Sequence, residues 1–210
     1  MMNKRVKEGI QKFHTKNPRI KFCLGTLALV GLCVMFLIIA TFTQIKFEVP
    51  NSGLDTYLKF EYIPQIPVVL FTATLLGECW GLLAILLYIG FGLTGIYPVF
   101  ALGGGFSYIF QYSFGYIFAY IFSVLLVAKQ LKKDCSMLNV IFALLYGVCI
   151  VHIIGIFYTI IIALIKHDSF EYITNLIYYQ SFSKILYDFI FGFIAIIIAK
   201  GTRRLLWLII

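Results

Sequence analysis

From Tyr62 to Ala128 the chain carries a single formal charge, Glu78. No soluble domain tolerates so long an uncharged stretch, whereas a hydrocarbon layer about 30 Å thick is crossed by roughly 20 apolar residues in a helix. The stretch must therefore cross more than once, with its turns inside it. Two segments have turn chemistry: Gly77-Glu78-Cys79-Trp80-Gly81, and the run from Gly95 to Tyr108, which holds Pro98 and the triple glycine Gly103-Gly104-Gly105. Overall, 61% of residues are hydrophobic and 12% charged, about half the charge of a soluble domain. The apolar runs do not alternate in polarity as barrel strands do. The expected fold class is an all-α integral membrane protein.

Six transmembrane helices are expected in a single membrane domain over residues 22–200, at about 22–45, 63–77, 81–97, 108–128, 137–165 and 183–200. A basic leader (1–21) precedes them and a tail (201–210) follows. Phe22 to Ile45 has no charge over 24 residues, longer than a signal-peptide core and with no small-residue cleavage site after it, so it is expected to be retained. Pro64 and Pro67 suit a helix start, where the first N–H groups have no internal partner. Thirteen Lys and Arg residues fall in the leader, after the fourth helix and in the tail, against Lys46, Lys59, Lys166 and Lys184 on the other side. Both termini are thus expected in the cytoplasm. The net charge of +8 follows from this topology and from contact with the lipid bilayer, not from nucleic-acid binding.

Several chemistries are excluded. The five cysteines, Cys23, Cys33, Cys79, Cys135 and Cys149, are odd in number and lack C-x-x-C spacing, so neither a structural disulfide nor a metal site is expected. No G-K-[ST] follows the triple glycine, so the chain has no nucleotide loop, and any energy source lies in a partner chain or an ion gradient. There is no H-E-x-x-H, no paired acid and no nucleophile near a base in sequence, so no enzyme activity and no cofactor are expected. The glycine run has two readings: a backbone that comes close to a ligand, or a plain turn between helices. Asp188 also has two. A carboxylate at mid-depth costs roughly 2.5 to 3.5 kcal/mol and so marks function, or it sits at the external helix end, hydrated or paired with Lys184. His152 makes either an interhelical hydrogen bond or a pocket or proton-handling contact.

The stretch from Leu87-Tyr88 through Gly92-Leu93-Thr94-Gly95-Ile96-Tyr97-Pro98-Val99-Phe100-Ala101-Leu102-Gly103-Gly104-Gly105-Phe106-Ser107-Tyr108-Ile109-Phe110 to Phe114-Gly115-Tyr116 resembles the signature of the BioY family, the substrate-binding S components of energy-coupling factor (ECF) biotin transporters. Leu75-Leu76-Gly77 with Gly81 resembles the family's preceding connection, and Gln65 falls near a glutamine of its second helix. The resemblance implies a plasma-membrane subunit with six helices that captures biotin or a similar small vitamin. It also implies partners: a transmembrane coupling protein and two cytoplasmic ATPases of an ECF module. The chain departs from the family at Gln111-Tyr112-Ser113, at Glu78-Cys79-Trp80, and at Phe191, which stands where a lysine follows the aspartate aligned with Asp188. Lys184, one helical turn before Asp188, supplies a cation from the other direction.

Biotin joins a neutral ureido ring, with two N–H donors and one carbonyl, to a thioether ring and an aliphatic carboxylate. Such a ligand calls for apolar and aromatic walls with a few convergent polar groups. The walls are expected from Tyr88, Phe100, Phe106 and Tyr108, the ureido contacts from Gln65 and Asp188, ring contacts from the amides of Gly103, Gly104 and Gly105, and the carboxylate contact from Lys184. Two alternatives share these features: the same scaffold for another small heterocyclic vitamin or precursor, and a stand-alone or ion-coupled carrier. Gly25, Ala28 and Gly31 are the small residues in helix one expected to face a coupling protein.

Overall fold

The computed structural model describes residues 24–50, 57–101, 103–133 and 136–209. The expected basic leader, Cys23 and Cys135 lie outside these residues. The chain order is α1 (Leu24–Phe42), a hairpin of β1 (Ile45–Pro50) and β2 (Tyr57–Tyr62), α2 (Gln65–Thr94), a 3-10 turn (Phe106–Phe110), α3 (Phe114–Lys133), α4 (Met137–Ile165), the short α5 (Phe170–Ile177), a π-helical turn (Tyr178–Phe182) and α6 (Ile185–Ile209). Among the described residues, five helical stretches are long and apolar enough to cross a membrane.

The two helices expected at 63–77 and 81–97 are the two halves of α2, separated by a break at Gly77 (φ 79°, ψ −164°). The break reverses the chain. The Gln65 amide nitrogen lies 3.3 Å from the Tyr88 hydroxyl, 23 residues on, where a straight helix would separate them by about 35 Å. At the turn, a side chain on Gly81 would meet the Ala73 Cα at 3.6 Å. Arg203 of α6 donates to the Thr74 carbonyl (3.0 Å), one of the last carbonyls of the first half-helix, which has no partner within that half. Lys132 of α3 and Glu78 form an exposed ion pair at 3.6 Å.

The Gly77 conformation is open almost only to glycine. Gly77→Ala is therefore expected to cost about 1–3 kcal/mol, read as a lower melting temperature in detergent. Gly31→Ala, whose Cβ would meet nothing within 4 Å, should not lower it. Equal melting temperatures for the two variants would show that the turn is not strained.

Between the first two apolar segments, β1 and β2 pair antiparallel, with Ile45 opposite Tyr62 and Pro50 opposite Tyr57. The fourth helix begins at Phe114, not near Tyr108, because the glycine-rich run continues into the 3-10 turn. The return after α4 is likewise folded: Ser169 caps α5 by accepting from the Tyr172 amide.

α3 and α4 pack closely through paired glycines. A Cβ on Gly155 would collide with the Tyr116 ring, and one on Gly115 with the Tyr158 ring. Such small residues let helices approach where no hydrophobic force drives them together. Large apolar side chains line the outside, such as Met35 and Ile39 of α1, Ile153 and Phe157 of α4, and Ile190 and Ile198 of α6. Thr41, His152, Ser181 and Asp188 are buried. This inside-out placement suits a chain whose solvent is hydrocarbon.

Candidate functional site

The glycine-rich run folds back onto the second half of α2. Phe100 and Gly103 exchange two backbone hydrogen bonds (2.9 and 3.0 Å), and the Gly105 amide donates to the Gly92 carbonyl at 2.8 Å. Gly95, Gly103 and Gly105 all have positive φ, which glycine reaches without strain. The fold-back seats the Phe100 ring on Gly92, where any Cβ would occupy its space. Phe100 packs edge-on against Tyr88 (5.6 Å) and close to Tyr108 (4.6 Å). All three rings are buried.

Beneath this wall a first polar cluster gathers at Gln65. Its amide nitrogen donates to Thr41 Oγ1 (2.6 Å) and to the Tyr88 hydroxyl (3.3 Å), while Tyr120 donates to its oxygen at 2.8 Å. Thr41 gives its own proton to the Leu37 carbonyl (2.8 Å). The 3.0 Å contact between Thr41 and Tyr88 therefore has Tyr88 as donor.

A second cluster centres on Asp188 in the first turn of α6. Tyr62, the last residue of the hairpin, donates to Oδ1 at 2.8 Å. His152 Nε2 lies 3.2 Å from Oδ2. The other imidazole nitrogen, Nδ1, is 3.0 Å from Ser181 Oγ in the π-helical turn, and that hydroxyl is 2.7 Å from the Tyr116 hydroxyl. Burial, and then the neighbouring Asp188 carboxylate, push the Tyr62 phenol above its ordinary range, so it stays a donor. Asp188 is 2% exposed, a depth at which a carboxylate needs such partners.

Neither expectation for Asp188 describes its surroundings fully. It lies at the start of α6, yet it is buried and held by Tyr62 and His152. Lys184, just before α6 and one turn from Asp188, is half-buried. Phe191 stacks on the Tyr62 ring (5.5 Å, 27°) and so props the residue that holds Asp188.

The structure thus brings Gln65, Tyr88, Phe100 and Tyr108 into one assembly and sets Asp188 in a neighbouring one. Tyr116 and Tyr120, one turn apart on α3, belong to the Asp188 and Gln65 clusters respectively. The amides of Gly103 and Gly105 are already engaged by backbone carbonyls. Phe106 points outward and is 72% exposed. Thr41, Tyr62, Tyr116, Tyr120 and Ser181 were not singled out from sequence. For Tyr62 one signal exists, an aromatic just before the Pro64-Gln65 helix start. Tyr116 falls in the stretch that resembles the family signature, and Thr41, Tyr120 and Ser181 have no signal.

The sequence pattern of the BioY family matches residues 10–207. No curated protein matches the chain. A solved crystal structure, that of the S-component for biotin from an ECF-type ABC transporter, has the same fold: TM-score 0.64 at 21% identity, covering 97% of this chain and 95% of that one.

Proposed function

The chain belongs to the BioY family, and on that premise we propose that it is the substrate-binding S subunit of an ECF-type vitamin importer in the plasma membrane. It captures biotin from outside and passes it inward with an ATP-driven module of one transmembrane coupling protein and two cytoplasmic ATPases. The observation that carries this reading is the buried Asp188, held between Tyr62 and His152 at 2.8 and 3.2 Å beside the Gln65 cluster. A carboxylate acceptor and an amide that both donates and accepts suit a ureido edge, which presents two N–H groups and one carbonyl. Tyr88, Phe100 and Tyr108 supply the apolar wall, Gly104 holds the loop that carries Phe100, and Lys184 faces the ligand's carboxylate. Phe106 and the amides of Gly103 and Gly105 shape the loop from outside.

The chain crosses the membrane six times, with α2 counted as two crossings because it folds back at Gly77, and both termini are cytoplasmic. The lysine and arginine distribution supports this. A second reading keeps the scaffold and changes the ligand to another small heterocyclic vitamin. It is favoured by Phe191, an aromatic where the family has a cation.

Equilibrium binding to the purified subunit in detergent, without ATPases, decides between the two. Biotin is expected to bind with nanomolar affinity and to resist competition by lipoate and other heterocyclic vitamins. A folded sample that ignores biotin but binds a competitor would move the assignment to the second reading.

A further inference from the structure

The proposed site contains a histidine whose two protonation states are both satisfied without moving a heavy atom. An ionised Asp188 only accepts hydrogen bonds, so the nitrogen facing it at 3.2 Å, Nε2, carries a proton in either state. The states differ at Nδ1. With a neutral ring, Tyr116 donates to Ser181 and Ser181 donates to Nδ1. With a charged ring, Nδ1 donates to Ser181, which turns its own proton toward Tyr116. Either oxygen of the Tyr116–Ser181 pair (2.7 Å) can be the donor. A buried polar chain that can reverse in this way holds a neutral and a charged imidazole with the same number of hydrogen bonds.

Resting on the reading of this site as one for biotin, we propose that His152 takes up a proton when an anionic ligand binds. The occupied site would otherwise hold two anions in a low-dielectric interior, Asp188 toward the ureido edge and the ligand's carboxylate toward Lys184. Like charges there favour neutralisation of the pair by protonation of a neighbour, and histidine is the side chain that changes charge near neutral pH. The titratable groups facing His152 are Asp188 from α6, Tyr62 from the hairpin and Tyr116 from α3, with Tyr120 one turn beyond and Lys184 before α6. The tyrosines are hydrogen-bond donors in this network, and Lys184 is already a cation. A carboxylate is a weaker base than an imidazole, so of Asp188 and His152 it is His152 that accepts the proton.

The test is isothermal titration calorimetry of biotin into the purified subunit at pH 7.5, in buffers of different ionisation enthalpy. The slope of observed heat against buffer ionisation enthalpy counts protons. It should lie between about 0.5 and 1 for biotin, and affinity should fall by up to about tenfold per pH unit as pH rises above neutrality. Biotinamide, which lacks the negative charge, should give a slope near zero on the unaltered protein, a comparison that needs no variant. His152→Gln should give a zero slope with biotin. Biotin binding with zero slope, an equal slope for biotinamide, or an unchanged slope in folded His152→Gln would each overturn the proton linkage and leave vitamin capture standing. A folded protein that gives no heat with biotin overturns the capture reading itself, and the linkage with it.

Discussion

Replacing Asp188 by alanine is expected to weaken biotin binding about 100-fold or more while the protein still inserts in the membrane. The ligand loses the acceptor proposed for its ureido N–H, and the empty position leaves Tyr62 and His152 with donors that have nowhere to point. Each orphaned buried donor costs about 1–3 kcal/mol, and a 100-fold loss in affinity corresponds to about 2.7 kcal/mol. Asp188→Asn separates the two effects. It keeps the shape and an oxygen for Tyr62, but its NH2 faces His152 Nε2 and forces that nitrogen to give up its proton. Its melting temperature should lie above that of Asp188→Ala, with affinity still reduced. Titration of both variants beside a thermal melt checks the expectation. Undiminished affinity in Asp188→Ala would remove this residue from the site.

Gly104→Leu is expected to abolish binding and to lower the melting temperature, for a reason the sequence did not suggest. If the glycine run is backbone that comes close to a ligand, a leucine there would fill the pocket. In the structure a Cβ on Gly104 would come within 2.9 Å of the Gly92 carbonyl oxygen and 3.1 Å of the Tyr97 carbonyl oxygen. These are backbone atoms and cannot rotate aside. The leucine would lever the loop off α2, break the hydrogen bond from Gly105 to Gly92 (2.8 Å) and unseat Phe100 from Gly92, carrying away the ring that covers Tyr88. Overpacking of this kind costs about 1–3 kcal/mol, and the displaced ring adds to it. Gly31→Leu is the comparison, since a Cβ there meets nothing within 4 Å. It should bind and melt like the unaltered protein. A Gly104→Leu protein with full affinity would show that the loop only connects helices.

Much of the site was legible where a residue type was anomalous in its setting. An acid in an apolar helix and three consecutive glycines each stand out, and Asp188 and the loop were singled out that way, whereas Gln65 came from the resemblance. The partners of these residues were not legible. Tyr62 and Asp188 are 126 positions apart and Tyr116 and Ser181 are 65. Tyrosine, serine and threonine are ordinary in membrane helices and carry no mark of which ones turn inward. His152 and Asp188 were both noticed, but not that they meet, nor that Ser181 holds the other ring nitrogen.

The sequence by itself determined that the chain lives in a bilayer, roughly where its apolar segments begin and end, and where the backbone turns at Gly77 and at the triple glycine. These follow from local rules: hydrocarbon thickness sets segment length, and positive φ calls for glycine. Only the tertiary structure decided which face of each helix looks inward. In a soluble protein, period 3.6 in polarity announces the buried face. Here the outward face meets lipid and the inward face meets other helices, both are apolar, and that periodic signal is largely lost. Glycine contacts such as Gly115 with Tyr158 and Gly155 with Tyr116 set the rotation of α3 against α4. That rotation turns Tyr116 and Tyr120 inward, where one meets the cluster of Asp188 and the other that of Gln65.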